Sequence, residues 1–475
     1  DGASSAGADV TMIGLASTDE LYFASGRLGV PGAMFTASHN PARYNGIKLC
    51  RAGAAIRHFG LEPELGRSST DSNIPISRGI PAVTLDTSDL DQHMGVPMEP
   101  GELKEPVAVN DVRRWVQAMH YPNPLHYDER WASESRFGSI VAPQSFTVAT
   151  DTSHGCSPAQ VGRIPNSHLI FGGDDWWFFG PRIWPGDHMV CHRMPYDYKV
   201  TQTKFAGPTC FQRGDTLYIN QRGERVALQR STAIRYQVRQ AKEKKLFSEP
   251  KEPEWSDAQL AELDEQKQLF IEQIQSLRHD PRTFESVKVG DQLAPNVLGP
   301  HSLASFTTEW RAFPMTTWGA TAKGPTTVRA EELGYTKEMA GFEGDRRMER
   351  TNPELTDGAY YGPSRGHLQP RWAQHVGMPR GYGYGASMGA WVIDYVAAWA
   401  GEWGWVTHAS SQYRNPAFTG DATFLTGEVT DTKVLRRRRH RVTVAVELRN
   451  QDDAVIAKAT VEVELPSEAA EAPRS

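Results

Sequence analysis

The sequence predicts an α+β fold in which an antiparallel sheet wraps a central helix, and it predicts that unit twice. Three observations carry this. Features recur in one order on either side of a charged stretch: His126, Gly186-Asp187 and Asn220-Gln221 before the alternating run 226–236, then His367, Gly420-Asp421 and Asn450-Gln451 before the alternating run 455–465. In each copy several period-two segments with Gly and Asn turns follow a stretch of small and apolar residues. In the second copy that stretch, 385–399, is apolar on nearly every face, and such a helix must be surrounded. Gly385, Gly389 and Ala390 would let a sheet approach its backbone closely.

Residues 1–100 are rich in Gly, Ala and Ser and end in the Pro/Gly-containing stretch 95–105, which sets a first boundary near 100. The first module then covers 101–236. A charged helical linker follows over 237–280, where Ser256 and Gln259 have capping-box spacing ahead of Leu260, Leu263, Phe270, Ile274 and Leu277 at helical intervals. The second module covers 281–466, and 467–475 reads as a disordered tail.

Composition narrows the partners. The 475 residues hold 51 Lys and Arg against 57 Asp and Glu, and a net charge of −6 argues against nucleic acid or an anionic membrane and for a small-molecule ligand. Cys50, Cys156, Cys191 and Cys210 form no Cys-x-x-Cys pair, so neither a disulfide framework nor a zinc site is readable, and a reducing cytoplasm fits best. The apolar run 381–406 contains Asp394 and Glu402, and its uncharged part falls short of the roughly 20 residues of a membrane span. The chain opens at Asp1 with no basic-then-apolar leader, so no signal peptide is expected and the sequence reads as a fragment.

The wording of the first module supplies a family. Asn123-Pro124-Leu125-His126-Tyr127-Asp128, then Ala132, then Phe137-Gly138-Ser139-Ile140-Val141-Ala142-Pro143, followed by 182–187 and Gly207-Pro208, resembles the MaoC-like dehydratases, the hot-dog-fold family of the (R)-specific enoyl-CoA hydratases. The resemblance spans about 106–465 as a double hot-dog. It implies reversible hydration of an enoyl-CoA in fatty acid metabolism, an acyl-CoA substrate, no cofactor beyond that coenzyme A, and a possible homodimer. Such chemistry requires a base for water, an acid for the α-carbon, and donors for the enolate oxygen. The start of the second apolar helix, Tyr384, Gly385 and Ala386, is where free N–H groups and the helix dipole would receive the thioester carbonyl.

In the family, an Asp and a His in Asp-x-Asn-Pro-x-His do the acid and base work, and this chain departs from that pattern twice. At His126 the Asn and Pro are kept as Asn123 and Pro124, but Tyr121 holds the Asp position. At His367 the corresponding positions hold Gly362, Ser364 and Arg365. The replacement candidates are Asp128, Asp357, Tyr360 and Tyr361. Two readings of His367 and His126 stay open, general acid/base or hydrogen-bonded structural histidine, and Asn123 is either a substrate contact or a turn-maker. A hot-dog that binds acyl-CoA without turning it over is the alternative function. Trp176-Trp177-Phe178-Phe179 with Trp184 is either acyl pocket or core, the arginines 436–439 either phosphate contacts or a solvated face, and Asp187 and Asp421 are turn formers.

The first hundred residues differ. Thr36-Ala37-Ser38-His39-Asn40-Pro41 with Tyr44-Asn45-Gly46-Ile47-Lys48 resembles the phosphoserine loop of the phosphoglucomutase/phosphomannomutase family over about 9–54, which implies Ser38 as the phosphorylated residue with His39 and Lys48 beside it. The family's three-aspartate metal loop and its sugar and phosphate loops have no counterpart, which weakens a phosphohexomutase reading. Residues 60–85 resemble a fragment of a di-zinc exopeptidase family without its ligand set, so no metal site is expected. Pieces of two unrelated enzymes ahead of a third point to a chimeric join.

Overall fold

The structure, a computed structural model, describes residues 11, 32–36, 46–50, 85–103, 105–151, 156–165, 167–244, 251–312, 365–367, 370–436 and 439–468. It divides into two compact units, 1–88 and 89–475. In the first, β1 (Gly32–Thr36) pairs antiparallel with β2 (Gly46–Cys50), Gly32 opposite Cys50. Ser38, His39 and the exopeptidase-like stretch lie outside the described residues.

The second unit starts at Asp89 rather than near 100. The reason is backbone pairing: the N–H groups of Gly95 and Met98 donate to the carbonyls of Pro195 and Arg193, at 2.9 Å each. The first module then runs β3 (Gly101–Glu102), α1 (Val109–Ala118), α2 (Glu129–Glu134), β4 (Ser167–Phe178), β5 (Met189–Thr203), β6 (Gly207–Asn220) and β7 (Arg225–Gln237). The linker holds α3 (Val238–Lys244) and α4 (Asp257–Leu277). The second module runs β8 (Asn296–Leu298), α5 (Leu303–Ala312), α6 (Pro370–His375), α7 (Gly385–Ala400), β9 (Trp405–Tyr413), β10 (Thr423–Val434), β11 (His440–Asn450) and β12 (Val455–Glu464).

The ten described strands of this unit form one antiparallel sheet in the order β3-β5-β6-β7-β4-β9-β12-β11-β10-β8. Read outward from the middle, β4-β7-β6-β5-β3 and β9-β12-β11-β10-β8 are the same topology twice. The modules join where Gly173 to Trp177 of β4 lie opposite Gln412 to His408 of β9. The shared features of the two halves also do the same work. Gly186 and Gly420 have φ of 97° and 85°, the left-handed region that favours glycine. Gln221 Nε2 donates to Asp187 Oδ1 at 2.7 Å, and Gln451 Nε2 to Asp421 Oδ1 at 3.1 Å. Asn220 Oδ1 accepts from the backbone of Arg222 and Glu224, Asn450 Oδ1 from Asp452 and Ala454.

The central segments differ. In the second module α7 is buried at every position except Ala397. A Cβ on Gly385 would stand 2.3 Å from Phe171 Cβ, and one on Gly389 2.8 Å from the Tyr413 hydroxyl, so both glycines let β4 and β9 pass against the helix. In the first module the expected central helix is replaced by a seven-residue 3-10 segment, Gln144–Thr150. Its sequence explains the change: Thr147 and Thr150 turn their hydroxyls back onto the carbonyls of Gln144 and Thr147, at 2.8 Å each, and β-branched residues occupy three of the seven positions. One apolar core nevertheless runs through both modules, from Trp115 and Phe146 to Trp391 and Val444. Helix α4 begins with the expected capping box between Ser256 and Gln259 and buries Leu263, Phe270 and Ile274, while Leu260 is exposed. Among the described residues no helix is long and apolar enough to cross a membrane.

Candidate active site

Each candidate histidine ends a three-residue 3-10 turn, Pro124–His126 and Arg365–His367. His126 Nδ1 donates to the Val141 carbonyl at 2.6 Å, and His367 Nδ1 to the Tyr382 carbonyl at 2.5 Å, in both cases fifteen residues onward. A carbonyl can only accept. The proton of the neutral ring is therefore on Nδ1, and Nε2 is the basic nitrogen in both modules. Both accepting carbonyls lie three residues before the central segment, so the repeat places each imidazole beside the entrance to that segment.

In the second module the His367 ring lies against Tyr384, with ring centroids 3.8 Å apart, and meets Tyr382 edge-on at 4.5 Å. Tyr384 is the N-cap of α7 and its side chain makes no capping hydrogen bond. The first-turn N–H groups of Gly385, Ala386 and Ser387 thus keep the donor character of an open helix start. Helix α5 also packs against this strip. Leu303 stands 2.9 Å from where a Cβ of Gly381 would be, and the Phe306 ring 3.0 Å from that of Gly383. One turn further on the same stripe is Glu309, with 0% exposure. Neither of its carboxyl oxygens, nor the Ser387 hydroxyl, has a hydrogen-bond partner among the described residues. Burial pushes the Glu309 carboxyl up to about 8, and the Ser387 hydroxyl lies close enough to oppose that rise without reaching hydrogen-bond geometry.

The first module is arranged differently. Tyr121 fills the place of the family's aspartate, with its ring 5.4 Å from His126. Its hydroxyl accepts from Asn123 Nδ2 at 3.0 Å, while Asn123 Oδ1 accepts from the Leu125 N–H at 3.1 Å, so both ends of that amide are used in holding the turn. Burial, opposed by the Val141 hydrogen bond, pushes His126 down to about 3. Asp128 is corrected by the structure: it is exposed, and its Oδ1 accepts from the N–H groups of Arg130 and Trp131 as the N-cap of α2, which commits it to the helix. Asp394 of α7 reaches into this module from the other. It is 3% exposed, neither carboxyl oxygen has a hydrogen-bond partner among the described residues, and it is pushed up to about 8 by burial, with the Ser145 hydroxyl opposing. A cavity of about 670 Å³ opens beside Tyr121, walled by α1, α4 and the turn after β8, with Arg113, His120, Lys267 and His301 among its lining.

The remaining expectations sort by packing. Trp176 is buried between Phe178 and Tyr218, Trp177 stacks on His408, and Phe179 is exposed, so the aromatic run is divided between core and surface. Arg439 is paired with Glu464 beside β11, on the solvated face. Tyr361, Tyr360, Asp357 and Gly362 lie outside the described residues. Among the described residues no cluster of His, Cys, Asp or Glu is arranged to hold a metal. Glu309 and Asp394 are not singled out as candidate groups by the sequence, since only burial sets them apart from ordinary helical carboxylates.

Known proteins bear on this geometry in two places. Residues 92–229 match the family described as FAS1-like, dehydratase domain region. A solved MaoC-like dehydratase superposes on 80% of this chain and 100% of its own, with a TM-score of 0.50 at 15% identity. The chain has the MaoC-like double hot-dog fold. A MaoC domain protein from Chloroflexus aurantiacus J-10-fl aligns over 79% of this chain and 96% of its own at 12% identity, TM-score 0.44. The (R)-hydratase from A. caviae involved in PHA biosynthesis aligns over 38% of this chain and 99% of its own at 15% identity, TM-score 0.24. Ahead of the double hot-dog, residues 1–58 match domain I of the phosphoglucomutase/phosphomannomutase family. The phosphomannomutase of Escherichia coli is 56% identical over 54 residues, which is 11% of this chain and 12% of that enzyme. The chain therefore spans about an eighth of that curated relative, and its residues 92–229 are similar to a dehydratase-type domain.

Proposed function

We propose that this MaoC-like chain is a hydro-lyase acting on a coenzyme A thioester, adding water reversibly to an enoyl-CoA to give a 3-hydroxyacyl-CoA. The observation that carries the reading is His367, its Nδ1 fixed by Tyr382 and its ring laid against Tyr384 at the open start of α7. A thioester carbonyl at the N–H groups of Gly385 and Ala386 has its developing enolate charge stabilised by donors and dipole together. His367 Nε2 then takes a proton from the attacking water. Addition to a double bond conjugated with a thioester needs neither a metal nor a redox carrier, so none is proposed.

In the first module His126 has the same ring polarity, yet its partners are the phenol of Tyr121 and the turn held by Asn123. Its proposed role is packing and support of the ligand's tail. A cytoplasmic setting and a homodimer go with this reading. The test follows loss of conjugated thioester absorbance with short, branched and bulky enoyl-CoAs, using the full chain and His367→Ala. Turnover abolished by that change supports the assignment. Tight binding of every substrate without turnover would instead make the protein an acyl-CoA binder.

A further inference from the structure

The His367 motif carries no aspartate at its own positions, and the packing of α5 offers a carboxyl from another helix. In the hydration proposed above, the α-carbon is two bonds from the carbonyl oxygen. An acid that protonates it must stand at the same helix turn that binds that oxygen. Leu303 and Phe306 of α5 pack against Gly381 and Gly383 of the strip 381–387, His367 lies against Tyr384 of the same strip, and Glu309, on the stripe of Leu303 and Phe306, arrives beside Ser387 in the first turn of α7. Glu309 is fully buried and its two oxygens are unpartnered among the described residues, as is the Ser387 hydroxyl. A carboxyl with no structural hydrogen bond is a costly thing to bury. In the first module Trp115 stands equally far into α1 and donates to Ser145 at 3.0 Å, so the position accepts an aromatic side chain and does not require an acid for packing.

We propose that Glu309 is the general acid of the His367 centre, replacing the absent motif aspartate. The proposal rests on the hydro-lyase reading. In the forward direction His367 Nε2 removes a proton from water as its oxygen bonds to the β-carbon. The π electrons of the double bond move toward the thioester as an enolate, and the enolate α-carbon takes the proton of Glu309. The imidazolium proton then returns to the Glu309 carboxylate, so that water has been added and both groups are restored. Burial keeps Glu309 protonated near neutral pH, with the Ser387 hydroxyl the opposing influence and no charged side chain among the described residues acting on it.

The experiment compares the full chain with Glu309→Gln and Glu309→Asp on the best enoyl-CoA, measuring kcat, KM, the pH profile of kcat and the thermal midpoint. Glu309→Gln is expected to lower kcat by about 10²–10⁴-fold with KM within about threefold and the midpoint unchanged or raised, since a neutral amide replaces a buried acid. The alkaline limb of the wild-type profile disappears in that variant, and Glu309→Asp recovers part of the rate. A Glu309→Gln enzyme that folds and keeps kcat within about threefold overturns the acid role while leaving the hydro-lyase reading intact. If Glu309→Gln loses its fold, Glu309→Asp decides: an unshifted kcat profile with unchanged alkaline limb overturns the assignment. A wild-type chain that turns over no enoyl-CoA overturns the hydro-lyase reading and takes the Glu309 role with it.

Discussion

Replacing Asp394 by Asn is expected to change how stability depends on pH, in a direction fixed by burial. The folded-state carboxyl is pushed up to about 8 from an ordinary 3.8, so between those values the folded chain holds a proton that the unfolded chain has released. Stability from this group is complete below about pH 4, falls as pH rises through the window, and levels off above 8. At about 1.4 kcal/mol per unit, the three units from pH 5 to 8 amount to about 4 kcal/mol. The Asn variant carries no such dependence, so it gains about that much on the wild type across the window. Guanidinium unfolding from pH 5 to 9 followed by tryptophan fluorescence reads the difference, with Trp391 and Trp399 on the same helix as reporters. Glu309 titrates in both proteins and cancels. A variant-minus-wild-type difference flat to within about 0.5 kcal/mol would refute the reasoning, because it would mean Asp394 is ionised or well partnered in the folded state.

Three further outcomes follow from the packing. Gly385→Ala puts a methyl group 2.3 Å from Phe171 Cβ and forces α7 away from β4; a loss of about 1–3 kcal/mol is expected in the denaturant midpoint. Ser256→Ala removes the reciprocal cap of α4 and costs about 1 kcal/mol, with Ser256→Asp retaining most of it, as calorimetry will read. Burial holds His126 at about 3 against an ordinary 6.5, so the folded state loses stability as pH falls below 6.5; His126→Asn, which can still donate to Val141, should flatten that acid limb in unfolding titrations.

What the sequence made legible is what local geometry writes into residue types. The glycines at 186 and 420 mark positive φ, the Asn220 and Asn450 turns need a side-chain acceptor, and Ser256 with Gln259 is a cap readable without any partner. The repeat of these marks gave the double hot-dog. Three things were not readable. The first module's central segment stops at a 3-10 turn because threonine hydroxyls compete for its carbonyls, a local contest that apolarity does not report. Asp128 sits inside the family-like motif, yet its position at the start of α2 makes it a cap. Glu309 reads in Leu-Ala-Ser-Phe-Thr-Thr-Glu-Trp-Arg-Ala as an ordinary helical carboxylate, because its neighbour Ser387 belongs to a helix far downstream.

Helix α7 meets one buried carboxyl and carries another, and their surroundings assign them different work. Ser387 and Asp394 are seven residues apart, about 10 Å along the axis. Glu309 meets the helix at its first turn, where free N–H groups and the dipole favour a carboxylate once its proton has gone. Asp394 projects from the middle of the helix, where every N–H is already bonded within it, toward Ser145 of the other module. A serine hydroxyl opposes the rise at both carboxyls, and only Glu309 adds the helix start, so the proposed cycling falls to Glu309 and not to Asp394. A neutral replacement should separate them in one assay. Asp394→Asn is expected to leave kcat within about threefold of the wild type, whereas Glu309→Gln lowers it by about a hundredfold or more; equal losses from both changes would mean that the two carboxyls act as one buried pair and that the dipole does not distinguish them.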